Sequence, residues 1–525
     1  MSFLKSFFRR EFEAKGLDMT NEPFIQALEI ALYTNKSLFL TGKAGTGKTT
    51  FLHTLRKFNT TKSMVVVAPT GVAAINAKGK TIHSFFKIDP RQIFLPGDHR
   101  LSPKGSKQNI FDTFKYTKSR LSVIRSLDIL VIDEISMVRV EILDILDQIL
   151  RVFRKKQHLP FGGVQLILIG DPFQLPPVVK DKDWSLLSGK YENRFFFSSF
   201  GFRELMPFHI ELQKIYRQKD TTFKNLLNRI RESRHTFEDL NFLNQRANDY
   251  HFDLLDQGYI ILGTHNHNIL QINKRKLELI ESEDRVYKAS IEDDFPPNMA
   301  PFEPLDIRLK VGAQVIFMRN NAEKNYYNGM IGKVVEMHDN KILVEANNGT
   351  FYEVEREVWE NVDYQYNEVE RKVDAKVIGR FTQFPLKLAW AITVHKSQGL
   401  TFEKCIVDID RSFETGQVYV ALSRCTDLEG LVLKKPIGMQ SVLVSSDSLN
   451  FSLQRQEEEQ IEEDLRVQRA FASLPYALDA YRKGDFNKAK AIFDEVQSIH
   501  DVTSYAKFNQ FLQLKPWLDH KNKHR

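Results

Sequence analysis

Gly42-Lys43-Ala44-Gly45-Thr46-Gly47-Lys48-Thr49 fills every position of the phosphate-loop pattern Gly-x-x-x-x-Gly-Lys-Ser/Thr. An apolar run, Leu38–Leu40, leads into it, and a helical pattern, Thr49–Lys57, follows. The glycines let backbone N–H groups converge on phosphate oxygens, and the helix N-terminus adds a favourable dipole. Lys48 is expected to reach the β- and γ-phosphates of ATP, and the Thr49 hydroxyl to ligate Mg²⁺. The expected nucleotide contacts are Gly42, Lys43, Ala44, Gly45, Thr46, Gly47, Lys48, Thr49 and Thr50. The alternative is a Gly-rich turn, which the strand before and the helix after argue against.

Outward from this loop the first half alternates strands and helices. Apolar runs at Ser37–Leu40, Met64–Val67, Ile129–Ile132 and Leu166–Ile169 each end in a turn or a charged cluster. That rhythm predicts a parallel sheet with crossover helices. The third run ends in Asp133-Glu134. A buried strand delivers such acids to the sheet edge where a phosphate loop lies. Asp133 is expected to hold the Mg²⁺ shell, and Glu134 to orient and deprotonate the attacking water. A segment from about 86 to 119, carrying Pro90, Pro96, Gly97, Pro103 and Gly105, interrupts the rhythm and reads as an insertion.

The second half repeats the theme at Tyr259–Leu262, Cys405–Ile409 and Leu431–Leu433. Between the first two, short alternating runs punctuated by Asn328-Gly329 and Asn348-Gly349 predict a small antiparallel barrel over about 296–376. After Phe451 the composition shifts. Gln456–Glu463 is acidic and polar, a solvated helix or linker. Ala477, Tyr481, Gly484, Phe486, Ala489 and Phe493 then fall at the spacing of one tetratricopeptide-like unit, with a helical tail packed on the body as the alternative. The expected division is a lead-in at 1–20, a first α/β domain at 21–200, a second at 201–450 and a helical tail at 451–525.

Composition is permissive. The chain has 525 residues, 42% apolar and 27% charged, with a formal charge of +7, a weak pointer to a polyanionic partner. Two cysteines without metal-like spacing argue against a disulfide framework or zinc site and fit a reducing compartment. No run of about 18 apolar residues predicts a membrane helix. Met1–Arg10 is read as an amphipathic lead-in helix rather than a transit segment, and the compartment as bacterial cytoplasm, with nucleus or mitochondrion as alternatives. Forty phenylalanines are read mostly as core, with a few stacking on nucleobases.

Further segments narrow the purpose. In order they are Ala68–Ala74, Thr81–Phe86, Asp133–Met137, Pro160–Gln165, Gly170–Val178, Glu211–Gln218, Ala391–Gly399 and Val420–Arg424. Together they resemble the motifs of superfamily-one DNA helicases of the B type, and most of all the PIF (petite integration frequency) family, with RecD-like helicases as near relatives. The resemblance spans about 21–444 and leaves out the tail. It implies a monomeric motor of two RecA-like domains, with the first insertion as a duplex-splitting wedge and the second as a barrel closing over the strand. It also implies 5′-to-3′ travel on single-stranded DNA and action on forked or tailed duplexes in DNA replication, repair, recombination or telomere and genome maintenance. Pro172 departs from the aromatic often found there in the PIF family.

By this likeness, Arg217 and Arg424 act as fingers on the transferring phosphate, though either arginine alone is more often a surface ion pair. Gln174 is expected to end a strand and sense the γ-phosphate, and Gln26 to read the adenine edge or lie as an ordinary helix-surface amide. Thr70, Gly71, His83, Phe173, Thr393, His395 and Lys396 are expected along the DNA channel, with core packing as the alternative for His83 and Phe173. Rival readings are a translocase that strips proteins without unwinding, a scaffold whose tail recruits a protein partner, and RNA as the natural strand.

Overall fold

The computed structural model describes residue 9 and residues 12–499, apart from 105–107, 219, 322–323, 410–413 and 455–457. Most of the expected lead-in helix and the end of the tail lie outside the described residues.

The first half is built on a six-stranded parallel sheet. Its strands are β1 (Leu38–Gly42), β2 (Met64–Ala68), β3 (Lys80–Thr81), β4 (Ile129–Ile132), β5 (Gln165–Ile169) and β6 (Phe208–Leu212), in the order β3-β2-β4-β5-β1-β6. β1, β4 and β5 are buried along their whole length, as a sheet covered on both faces requires. The helices Glu22–Tyr33 and Lys48–Phe58 cover one face through Ile25, Leu28, Phe51 and Leu55. The helix Val140–Phe153 and the segment Phe86–Phe114 cover the other through Leu143, Leu146, Phe94 and Ile110.

β6 corrects the division expected at residue 200, because it pairs with β1 from Leu38–Phe208 to Gly42–Leu212. Phe208, Ile210 and Leu212 are buried while His209 and Glu211 are half-exposed. Such an edge strand carries no continuous apolar run to announce it.

The second half has a four-stranded parallel sheet, β7 (Ile260–Gly263), β18 (Ala391–Thr393), β19 (Cys405–Asp408) and β20 (Leu431–Leu433), in the order β18-β7-β19-β20. β8 (Arg285–Tyr287), β9 (Ser290–Asp293), β10 (Ile307–Leu309), β11 (Gln314–Phe317), β12 (Ile331–Met337), β13 (Lys341–Ala346), β14 (Phe351–Glu355), β15 (Glu357–Asn367), β16 (Lys372–Gln383) and β17 (Leu386–Leu388) lie between. They form three antiparallel sheets, β10-β8, β14-β13-β12-β11-β17 and β15-β16-β9. The insertion therefore reaches beyond 296–376 on both sides.

The hairpin β15–β16 extends to the first half. Tyr364 and Val373 are buried within that half's core. β3 is two residues long and pairs with β2 only at Val67 and Ala68. The Tyr364 hydroxyl completes the ladder, accepting from Val66 N–H at 3.0 Å and donating to Val66 O at 3.1 Å. Asp363 pairs with Arg120 at 2.7 Å and Lys80 at 3.0 Å, and Val373 N–H donates to Ser63 Oγ at 2.9 Å.

After Leu453 the chain forms a helical hairpin, Glu458–Arg482 and Phe486–Ile499, closed by Ala470, Ala477, Ile492, Phe493 and Val496. Its first helix also packs on the body, burying Ile461 and Leu465 with the helix Glu22–Tyr33. No described helix is long and apolar enough to cross a membrane.

Candidate nucleotide and nucleic-acid site

The phosphate loop leaves β1 and enters the helix Lys48–Phe58. Gly45 adopts a φ of +78°, and a Cβ there would lie 2.2 Å from Arg217 Cβ, so the approach requires glycine. Lys48 is half-buried, and its Nζ donates to Gly42 O at 2.5 Å and Lys43 O at 3.1 Å. Burial lowers its pKa, while Asp171 and Glu134 oppose the shift. Thr49 and Thr50 are exposed at the helix start.

Asp133 and Glu134 follow β4 at the same sheet edge. Glu134 has a φ of +52°, an uncommon state for a non-glycine residue and one that active sites retain. Burial raises the pKa of both acids, and each carboxylate lies in a field of charge. Glu134 pushes Asp133 up further, while Lys48 and Arg424 pull Glu134 down. Gln398, from the turn after β18, donates to Glu134 Oε2 at 2.9 Å.

The second half supplies the opposite wall. Tyr419 and Arg424 come from the helix Gln417–Leu422 and the turn after it. The Tyr419 hydroxyl accepts from Ala44 N–H in the phosphate loop at 3.0 Å. Gly416, φ +78°, lets this helix approach the turn at 171–174, where a Cβ would meet Phe173 O and Gln174 O at 2.6 Å. Arg424 is buried, and its guanidinium donates to Val420 O at 2.9 Å and Ser423 Oγ at 3.0 Å. Arg217 donates to Ser423 O at 3.3 Å, and burial with the neighbouring Arg424 lowers its pKa to about 9. Arg217 follows β6 and so belongs with the first sheet, whereas Arg424 comes across the cleft.

Gln174 does not end a strand. It lies five residues past β5, in a turn where its amide meets Asp171 Oδ2 and receives Gln398, both at 3.4 Å. Asp171, fully buried, pairs with the equally buried Arg231 at 2.9 Å. The Arg231 guanidinium covers the Phe173 ring at 4.2 Å, and that ring is 4% exposed. Phe173 is thus packed as a core residue here, in line with the alternative reading of its motif.

Of the remaining channel residues, Thr70 is exposed and caps the helix Gly71–Asn76, accepting from Ala73 N–H at 3.2 Å. His83 is half-buried, with its pKa lowered by burial and Arg139. Thr393 is buried, accepting from Lys396 N–H at 3.3 Å. His395 lies 3.4 Å from Glu414, and the exposed Lys396 3.8 Å from Glu303. These two groups stand at the C-terminal ends of β2–β3 and β18.

Gln26 faces the tail, donating to Glu462 Oε2 at 3.2 Å. Asn21, before the same helix, donates instead to the Tyr216 hydroxyl at 3.1 Å, and Tyr216 N–H donates to Gly45 O at 2.9 Å. The Tyr216 ring is 55% exposed beside the phosphate loop. Asn21, Tyr216, Arg231, Gln398 and Tyr419 are site residues the sequence reading left unassigned. Tyr216, Gln398 and Tyr419 stood within or beside quoted motifs, whereas Arg231 gave no signal in its amphipathic helix.

A family model described as PIF1-like helicase matches residues 24–240. The ATP-dependent DNA helicase Pif1 of Campylobacter jejuni is 31% identical over 419 residues, covering 76% of this chain and 88% of the relative. This chain belongs to the PIF1-like helicase family. Among solved structures, Bacteroides sp. Pif1 in complex with ADP-AlF4 is 39% identical, covers 83% of this chain and 97% of its own, and superposes with a TM-score of 0.74. Bacteroides Pif1 with ADP-AlF3 and ssDNA, also 39% identical over 83% of this chain and 96% of its own, gives 0.57.

Proposed function

We propose that this chain is an ATP-dependent DNA helicase whose nucleotide site lies between its two α/β halves. The observation that carries this reading is the cleft itself. Lys48, Asp133 and Glu134 at one sheet edge face Gln398 and Arg424 of the other half, and Gln398 reaches Glu134 at 2.9 Å. The relatives' names and the ADP-AlF4 and ssDNA complexes of Bacteroides Pif1 support the substrate classes.

The donor set suits Mg²⁺. Two adjacent half-buried carboxylates with raised pKa values are relieved by a divalent cation. Mg²⁺ in such a site shares its shell with substrate phosphates. Thr49 and Asp133 would hold it, where it neutralises charge on the phosphates. Lys48 gives up its backbone carbonyls for phosphate oxygens. Glu134, oriented by Gln398, takes the proton of the attacking water. Arg424, with Arg217 beside it, stabilises the charge on the transferring group. Because Arg424 comes from the other half, nucleotide state biases closure, and closure is what a stepping motor uses.

The wider reading places the domain division after Leu212, the wedge at about 86–119, and the antiparallel insertion over the strand. Thr70, Gly71, His83, Thr393, His395 and Lys396 grip the strand, and travel is 5′-to-3′, as family likeness implies. The motor works as a monomer. Strand displacement on duplexes with either a 5′ or a 3′ single-stranded tail tests this, with Lys48→Ala as the blank. Unwinding of the 5′-tailed duplex alone is expected. Unwinding of the 3′-tailed duplex alone overturns the polarity. ATP hydrolysis stimulated by single-stranded DNA without unwinding moves the case to a translocase.

A further inference from the structure

The C-terminal hairpin is joined to the first half by buried charge as well as by packing. Arg469, 3% exposed, donates to Glu29 Oε2 at 2.6 Å and to Glu462 Oε1 at 2.7 Å. Glu29, on the helix Glu22–Tyr33, also receives Arg9 Nε at 2.9 Å. Glu462, 36% exposed, spends its second oxygen on Gln26. Five residues before Gln26, Asn21 ties the start of the same helix to Tyr216 and so to the phosphate loop. The tail thus grips the helix that borders the nucleotide site, one helical turn from its most buried acid.

The Gln26–Glu462 contact fixes more than position. A primary amide has a donor end and an acceptor end of nearly equal size, and only its partners decide which way it points. A carboxylate ion-paired with a guanidinium offers acceptors only, so Gln26 meets Glu462 with Nε2 and turns Oε1 the other way. We propose that Glu462 is a positioning residue for the base-reading amide, so that the C-terminal hairpin is part of the nucleotide site. With Oε1 presented as an acceptor, Gln26 takes the 6-amino group of adenine and opposes the 6-oxo group of guanine. The second Nε2 hydrogen stays available for the neighbouring ring nitrogen. This rests on the reading of Gln26 as a nucleobase contact.

The test is DNA-stimulated hydrolysis of ATP and GTP by the full chain and by Glu462→Ala, Gln26→Ala and the double variant, with thermal melting of each. Loss of Glu462 frees the amide to rotate. The ATP:GTP ratio of kcat/KM is expected to fall about tenfold, the worth of roughly one hydrogen bond between correct and incorrect base. The fall lies in KM for ATP, with kcat kept. Since Glu462 acts through Gln26, the double variant falls no further than Gln26→Ala alone. If Gln26→Ala lowers the ratio and Glu462→Ala does not, the amide reads the base without the tail and the proposal fails while the Gln26 reading stands. If Gln26→Ala leaves both ratio and KM unchanged, the Gln26 reading falls and takes the proposal with it. A lower melting temperature in Glu462→Ala with an unchanged ratio makes the contact structural only and overturns the proposal.

Discussion

Two of the places where the halves of this molecule meet are built from opposite chemistry. In the nucleotide cleft the contact is made of charge: Lys48, Asp133 and Glu134 on one side, Arg424 on the other, with pKa values displaced by burial. At the β15–β16 hairpin the contact is made of packing and satisfied backbone: Tyr364 and Val373 in the core, and the Tyr364 hydroxyl closing both polar groups of Val66. Buried charge without matched partners is costly and rearranges when a ligand of the right charge arrives. A satisfied, close-packed contact has nothing to gain from a ligand. The difference assigns the cleft to switching and the hairpin to holding.

Substitutions in the cleft test the switching half, and the largest effect is expected from Lys48→Ala. It removes the cation proposed to meet the transferring phosphate, and ATP turnover should fall to background in a steady-state phosphate-release assay. Arg424→Ala comes next. A finger of this kind is worth about 10³-fold or more in turnover, so kcat should drop by that order while nucleotide binding, followed by fluorescence titration, changes little. Loss of binding with retained kcat would deny Arg424 a transition-state role. Glu134→Gln keeps the side chain's size and its approach to Gln398 but cannot take a proton. Hydrolysis should fall about 10²- to 10⁴-fold with ATP still bound, and near-normal turnover would show that the base lies elsewhere.

Most of the switching half was legible in the sequence. The phosphate loop and the strand ending in Asp133-Glu134 are local patterns, since each residue's expected role follows from a few neighbours in the chain, whereas Gln398 stood in a quoted motif without a role. Little of the holding half was. Tyr364 meets Val66 across 298 residues, and Arg469 meets Glu29 across 440, so no window of sequence contains either contact. β15 carries six polar residues among eleven, and while Trp359 packs in its own half, Tyr364 and Tyr366 serve the core of the other. β6 escaped for a related reason, being an edge strand with alternate residues half-exposed. At Phe173 the sequence left channel stacking and core packing both open. Its motif context suggested an aromatic open to a base, and only the fold brings Arg231 down onto its face. The tail was readable as a helical unit, but its docking on the helix of Gln26 was not.

The smallest expected effect tests the holding half. Tyr364→Phe keeps the ring, which stands edge-on to Phe85 at 5.7 Å, and removes only the hydroxyl. Val66 N–H and Val66 O then lose their partner in a buried place where β3 is too short to replace it. Leaving buried backbone groups unsatisfied costs about 1–3 kcal/mol, to be read as a lower denaturation midpoint at unchanged slope. Turnover per folded molecule should stay within about twofold, because the hydroxyl contributes nothing to the charge in the cleft. A variant with unaltered stability and a reduced rate would reverse the assignment, making the hairpin one of the moving contacts and leaving the cleft to open and close against a hinge elsewhere.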